Sequence, residues 1–588
     1  MREGAVTGRD VLRRAVLGQR RRLVVSSLLG AGHQAGEALT PLLIGVTVDR
    51  AIAGEDAGAL VLLLTALGGV YLVLSFSFRF AARLGEQAAE TAAHELRLDL
   101  VRRVLHPAGG AERGRLPGAL ASVATEDARR VGIVLKALGF AFAALTGLLV
   151  GAVALLRTSL PLGLLVLLGT PVLLWLGHLL SKPLERRSTA EQEAAARASG
   201  VAADLVDGLR VLKGLGAERA AVDRYRRISQ DSLAATLRAA RAEAGQQGVT
   251  LAVTGLFVAV IALVGGRFAA SGDISLGELV SALGLALFLL TPLDTLAWVN
   301  TELAQARASA ARVADVLATP WAVPPGGAAP TRPARGEVEV RDLDHEGLEG
   351  LHLTARPGEL LGLAVTEPAH ADALLRCLGR EADPAGGTAR LDGTPLTELD
   401  PAELRAELLA APHDAHLFSG TVADNVPGAA QAAALAAAGA DALGTETEAG
   451  EAGRALSGGQ RQRAWLAMAV AQDTPVLLLD EPTTYLDLTH QIDVLDLVTD
   501  LNRDRKRTVV MVLHDLNQAC RYADHVVAMK AGRIVAEGTP AEVITEETVT
   551  DVFALRCRVT VDPVSDTPMV LPLGRHHPGR PPGAGDEQ

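Results

Sequence analysis

One ordered set of residues carries the strongest chemical signal in the sequence. It reads Leu456-Ser457-Gly458-Gly459-Gln460, then about twenty residues later Val476-Leu477-Leu478-Leu479-Asp480-Glu481, then His514. Consecutive small residues that open a helix turn backbone N–H groups and a hydroxyl toward an anion, with the helix dipole behind them. An apolar strand that ends in Asp-Glu offers one carboxylate to Mg²⁺ and a second to position an attacking water. A lone Ser-Gly-Gly is more often a plain loop, but the set as a whole, in this order, is very improbable by chance.

These residues need a frame, and the chain supplies two kinds. Beyond residue 337 strand-like and helix-like patterns alternate, and Val476–Leu479 is the short apolar run of a buried parallel strand, which predicts a soluble α/β domain over 337–574. Before it, long apolar runs at 23–48, 59–78, 133–156, 159–181, 248–271 and 276–297 each approach the ~20 residues that cross a bilayer as a helix. Six spans place both ends on one side. Arginines crowd residues 13–22 and the loops 79–132 and 182–247, while the loop after the first run carries Glu55 and Asp56. The positive-inside rule therefore predicts cytoplasmic termini and long loops. Those loops are rich in Ala, Glu and Arg and nearly free of Pro, so they should continue the membrane helices into the cytosol.

Composition agrees with this division. Of 588 residues 49% are hydrophobic and 21% charged, which with a mean hydropathy of +0.25 indicates a membrane protein and excludes disorder, a fibre or one small soluble domain. The net charge, 56 minus 68 or −12, argues against nucleic acid as a partner. Cys377, Cys520 and Cys557 have no metal-ligand spacing and fit a reducing cytosol. The basic N-terminus has no cleavage site after its first apolar run, so it reads as an uncleaved anchor. A Pro/Gly/Ala stretch at 319–336 is too poor in apolar side chains to pack and reads as a linker, and the tail 575–588 reads as disordered.

With these motifs in place the chain resembles the ATP-binding cassette (ABC) transporters, as a half-transporter of the exporter type: an all-α six-helix membrane domain over 1–318 followed by a P-loop-NTPase-like α/β cassette. The resemblance implies that Ser457, Gly458, Gly459 and Gln460 form the signature motif, Asp480 the Walker B aspartate and Mg²⁺ ligand, Glu481 the catalytic carboxylate, Asp487 the D-loop residue and His514 the switch histidine. The segments 117–130 and 200–219 look like the family's coupling regions. From Ala464 onward, WLAMAVAQDTPVLLLDEPTTYLDL and the stretch after it resemble instead the ATPase subunits of iron-siderophore importers. A join at the shared Leu-Ser-Gly-Gly-Gln stretch would explain such a mosaic.

The departures are as informative. The family's phosphate loop reads GxxxxGK followed by Ser or Thr, whereas residues 365–372 read VTEPAHAD. Val365 and His370 replace glycines, Pro368 removes an N–H donor, Ala371 stands where lysine should reach the phosphates, and Asp372 puts a carboxylate where a hydroxyl should meet Mg²⁺. Residues 337–350 hold no aromatic to stack on adenine, His345 is expected to be a solvated loop histidine, and His413 takes the place of the family's glutamine. The resemblance then implies a heterodimer in the cytoplasmic membrane, in which this chain lends its signature to the ATP and Mg²⁺ of a second half-transporter with an intact loop. A silent regulatory or scaffold subunit, or a non-functional mosaic product, is the alternative. The cargo reads as a small molecule, lipid, peptide or siderophore. In the first span His33 and Glu37 lie four apart, hence on one helix face, and are candidate substrate or proton contacts as readily as a paired structural group.

Overall fold

The computed structural model describes residues 6–412, 416–426, 428, 431–440, 443–484 and 486–574, with the backbone alone at 174, 177–178 and 180–185. His413 and the tail 575–588 lie outside the described residues. The chain divides into two compact units: Met1–Val101 with Leu116–Ala318, and Arg102–Arg115 with Thr319–Gln588.

The first unit is helical: α1 (Gly8–Gly18), α2 (Arg20–Thr47), α3 (Ala57–Val104), α4 (Pro117–Ser122), α5 (Ala128–Thr158), α6 (Leu160–Asp207), α7 (Leu209–Leu215), α8 (Glu218–Ser271), α9 (Leu276–Phe288) and α10 (Leu290–Ala318). At 1.5 Å per residue, the 48 residues of α3 and the 54 of α8 extend about 72 and 81 Å, more than twice a hydrocarbon core of ~30 Å. All six expected runs fall in helices. Among the described residues four helical stretches, Ala57–Val104, Pro117–Thr158, Glu218–Ser271 and Leu276–Ala318, are by length and composition alone long and apolar enough to cross a membrane. In α2 the polar His33, Gln34 and Glu37 interrupt the apolar run, and in α6 the described apolar stretch is the short Leu160–Leu173.

Small residues let two of these helices touch backbone to backbone. A Cβ on Gly45 of α2 would stand 2.2 Å from the carbonyl oxygen of Gly277 in α9, so neither position tolerates a larger residue. Asp49 accepts from the Gly277 N–H at 2.8 Å and from the Ser275 hydroxyl, which caps α9. The segment 117–130 is tied to α10, because the buried Asp127 carboxylate accepts from Ser309 Oγ at 2.8 Å and Arg312 Nε at 2.9 Å.

In the second unit an antiparallel sheet in the order β2-β1-β4-β5 is formed by β1 (Val338–His345), β2 (Leu348–Ala355), β4 (Gly386–Leu391) and β5 (Thr394–Pro395). The larger sheet contains β3 (Leu360–Val365), β6 (Leu408–Ala411), β7 (Val476–Asp480), β8 (Thr508–Val512), β9 (His525–Lys530) and β10 (Arg533–Gly538), ordered β10-β9-β3-β8-β7-β6. Its strands are parallel except β10. Alternation along them builds two cores. Leu477, Leu479, Val509 and Met511 face one, while Val476, Leu478, Val510 and Val512 face the other.

Two segments behave differently from their sequence expectation. Residues 319–336 are packed rather than free: Val323 is buried, Ala328 exchanges backbone bonds with Glu398 and Asp400, and the Asp392 carboxylate accepts the N–H groups of Arg335, Gly336 and Glu337. Backbone hydrogen bonds to the cassette replace the apolar side chains that the composition lacks. The turn after α3 joins the same unit. Arg103 donates to the carbonyls of Gly109, Thr319 and Pro320 and lies 3.8 Å over the Trp321 ring, while Arg113 donates to the Glu381 carbonyl at 2.9 Å. Residues 102–115, just upstream of the segment 117–130, are therefore part of the cassette's own unit. Arg103→Ala would leave three carbonyls unanswered and is expected to cost about 2 kcal/mol. Limited trypsinolysis checks this: cleavage at Arg113 and Arg115 should accelerate in the variant.

Candidate functional site

Strand β3 runs into α11 (Pro368–Leu378) with only Thr366 and Glu367 between them. A loop that wraps a phosphate needs several consecutive residues presenting N–H groups to the anion, and here the helix begins too early to leave them. Pro368 at its first position has no N–H, and the His370 N–H is given to the Glu367 carbonyl at 3.0 Å. The N-cap position holds an anion of the protein's own. The Glu367 carboxylate accepts from Thr366 Oγ1 at 2.6 Å, from His370 Nδ1 at 3.1 Å and from the Ala531 N–H at 3.3 Å. The Thr366 hydroxyl bond, with those from Ala531 and His370, holds this carboxyl below its usual range.

The remaining loop positions follow suit. Ala371 is 1% exposed and packs in the core, with no arm to reach outward. Asp372 and Asp480 line the same small cavity of about 50 Å³, with Arg376 and Glu381. Arg376 divides its charge between Glu346 at 2.9 Å and Asp372 at 3.8 Å. Two carboxylates beside a loop with no lysine repel the phosphates of a nucleotide, and among the described residues no group of three His, Cys, Asp or Glu is arranged to hold a metal. The residues of this face do not fit a Mg²⁺-bound triphosphate. The expected solvated His345 is instead folded in, its side chain 12% exposed and its Nε2 3.7 Å from Glu346 Oε1. At the adjacent turn Gly347 lies against His370, whose Nε2 would be 3.0 Å from an added Cβ.

The later motifs are built differently. Ser457 caps the helix Gly458–Ala471, accepting from the Gln460 N–H at 3.3 Å while Gln460 Oε1 accepts from the Ser457 N–H at 2.9 Å. This reciprocal cap fixes the first turn and leaves Ser457 and Gly458 exposed at the positive end of a 14-residue helix. The buried Gln462 of that helix donates to the Pro482 carbonyl at 2.9 Å, which ties the signature to the turn after β7. Glu481 sits in that turn at φ +46° and is 13% exposed. Both its oxygens are engaged, by His514 Nε2 at 2.5 Å and by Thr484 Oγ1 at 2.9 Å. Glu481 and His514, expected as a pair, are brought together.

Asp487 caps the helix Leu488–Arg505 and accepts from the His490 N–H at 3.0 Å and from His490 Nδ1 at 2.6 Å. The His490 backbone bond, followed by its ring, lowers the Asp487 carboxyl. The His490 ring then reaches the signature: a Cβ on Gly459 would fall 2.7 Å from its Cδ2. Sequence reasoning missed His490, and the Asp-x-x-His spacing was its one available signal. His33 and Glu37, in the helical unit, stand with Nε2 and Oε2 3.7 Å apart.

Comparison with known proteins gives two groups. The family description "ABC transporter transmembrane region" matches residues 23–293 and "ABC transporter" matches 348–484. A probable siderophore transport system ATP-binding protein of Bacillus subtilis is 42% identical over 241 residues, 39% of this chain and 88% of that protein. The ferric enterobactin transport ATP-binding protein of Escherichia coli is 58% identical over 123 residues, 21% of this chain and 45% of that protein. A multidrug efflux ATP-binding/permease protein of Mycobacterium tuberculosis is 30% identical over 531 residues, 86% of this chain and 44% of that protein. The chain thus spans less than half the length of the latter two relatives. The geometry of 365–372 leads to one expected outcome: the isolated chain should not be photolabelled by an ATP analogue at low micromolar concentration, and Ala371→Lys alone should not change that. One lysine is a point charge, and the missing N–H groups would still be missing.

Proposed function

Because this chain belongs to the ABC transporter family, with a membrane region and an ATP-binding cassette fused in one multi-pass polypeptide, we propose that it is one half of a heterodimeric transporter whose working ATP site is completed by its signature motif. In this reading Ser457–Gln460 close over ATP and Mg²⁺ held by the partner's intact phosphate loop, while the site built on residues 365–372 is silent. The observation that carries the reading is the contrast between the two faces. The signature helix is capped and presents free first-turn residues, whereas the N-terminus of α11 is occupied by Glu367 and Pro368. Closure at the working site would pull on the coupling segments and switch the membrane cavity between inward- and outward-facing states. Arginine distribution supports cytoplasmic termini and cassette, in the cytoplasmic membrane.

The cargo is a small molecule, lipid, peptide or siderophore. The importer relatives match the motor, which does not touch cargo, so their printed siderophores weigh less than the efflux relative that covers 86% of the chain. Early residues such as Val340, Leu363 and Leu374 share one core, at 1% exposure or less, with the late Leu478, Val510 and Val527, which supports a cassette that folds as one domain.

Two variants test the assignment of sites, measured as heterodimers with the partner unchanged. Gly459→Asp places a side chain and a charge where the partner's nucleotide should rest and is expected to abolish coupled hydrolysis. Because the new Cβ also meets His490 within this chain, His490→Ala and the double variant are measured beside it, and the double variant should stay inactive while His490→Ala retains turnover. Glu481→Gln, on the silent side, should change turnover by about threefold or less, against the several orders of magnitude that a working catalytic group can cost. Loss of activity in Glu481→Gln with turnover intact in Gly459→Asp would invert the assignment.

A further inference from the structure

The helical unit contains a cavity of about 210 Å³ between α2, α3, α5 and α10, lined among others by His33, Glu37, Phe78, Phe140 and Thr295. Its polar end is defined by one hydrogen bond. His33 Nδ1 lies 3.0 Å from the Leu74 carbonyl oxygen. A carbonyl can only accept, so Nδ1 donates to it and Nε2 turns the other way. That Nε2 faces the Glu37 carboxylate at 3.7 Å. That gap is too wide for a direct hydrogen bond, so the carboxylate keeps lone pairs for a donor in the cavity. Lys136, which also lines the cavity, is committed to Glu86 at 2.7 Å, and His33 is the one ion-pair partner of Glu37 among the described residues.

The gap has the dimensions of a bridging donor. When a ligand brings the hydrogens and Nε2 accepts, Nε2 and the carboxylate, 3.7 Å apart, can each lie about 2.9 Å from one nitrogen bearing two of them. Phe78 and Phe140 also line the cavity, beside small residues such as Ala81, Gly139 and Ala143, and the Phe78 ring is 5.0 Å from that of His33. A cation with an apolar group attached is attracted by the carboxylate and can pack its apolar group on the aromatic and small side chains. We propose that this cavity binds a protonated primary or secondary amine carrying an apolar group, its N–H groups shared between His33 Nε2 and the Glu37 carboxylate. The proposal rests on reading the His33–Glu37 face as a substrate contact and names the class of ligand that the contact selects.

The test uses the full chain in lipid nanodiscs, with no nucleotide and no partner, so its failure leaves the ATP-site assignment standing and a failure of that assignment leaves it intact. Equilibrium binding is measured for radiolabelled 2-phenylethylamine and for trimethyl(2-phenylethyl)ammonium, which has the same ring and charge but no N–H. The primary amine should bind saturably and the quaternary ion at least about tenfold more weakly. The near-isosteric Glu37→Gln should weaken the primary amine by about tenfold or more, and His33→Phe, which keeps a ring but removes the acceptor, should weaken it as well. Equal affinity for the two probes, no saturable binding of either, or unchanged binding in both variants would overturn the proposal. If a variant fails to fold, the two probes on the wild-type chain still decide.

Discussion

Phosphate binding by a cassette depends on where a handful of backbone N–H groups point. A phosphate loop works because several amides at a helix N-terminus are left without internal partners and so are available to an anion. Between β3 and α11 those amides have been removed, by Pro368, or turned inward, as at His370, and the nearby Glu367 carboxylate adds a negative charge that repels a phosphate. At the head of the helix Gly458–Ala471 the same kind of terminus is preserved, closed on itself only by the Ser457–Gln460 cap. One chain thus carries a spent helix terminus and a usable one, and everything inferred about its partner follows from that asymmetry.

The parallel sheet makes the asymmetry structurally affordable. Strands β3, β7 and β8 lie side by side, so the ruined loop after β3 and the intact Asp480-Glu481 after β7 project from the same sheet edge without either depending on the other's sequence. The core beneath is shared by strands before and after the signature motif. Fold stability and nucleotide chemistry are therefore separable: Ala371 and Val365 serve packing where the family's residues serve phosphate.

The sequence made much of this legible, for identifiable reasons. Short motifs with a fixed order, such as Ser457–Gln460 and Asp480-Glu481, survive without context because each depends on local backbone geometry. Apolar runs longer than about twenty residues are equally plain. What was not legible depends on partners distant in sequence. The packing of 319–336 relies on Asp392, Glu398 and Asp400, and the docking of 102–115 relies on Trp321 and Glu381. His345 was misread because its burial comes from neighbours that its own segment does not contain, and the approach of His490 to Gly459 needed both helix heads to be placed first. The early start of α11 was implicit in Pro368, which favours a helix's first turn, but only the structure turns that preference into a missing loop.

The most direct measurement is a cryo-electron microscopy structure of the heterodimer with ATP and Mg²⁺, using a partner variant that binds but does not hydrolyse. The account predicts one Mg²⁺-bound nucleotide against Ser457–Gln460, its phosphates held by the partner's loop. It also predicts that Glu367 retains its bonds to Thr366 and His370 on the other side. A second nucleotide with its β- and γ-phosphates seated on residues 365–372 of this chain, and a Mg²⁺ ion between Asp372 and Asp480, would contradict it.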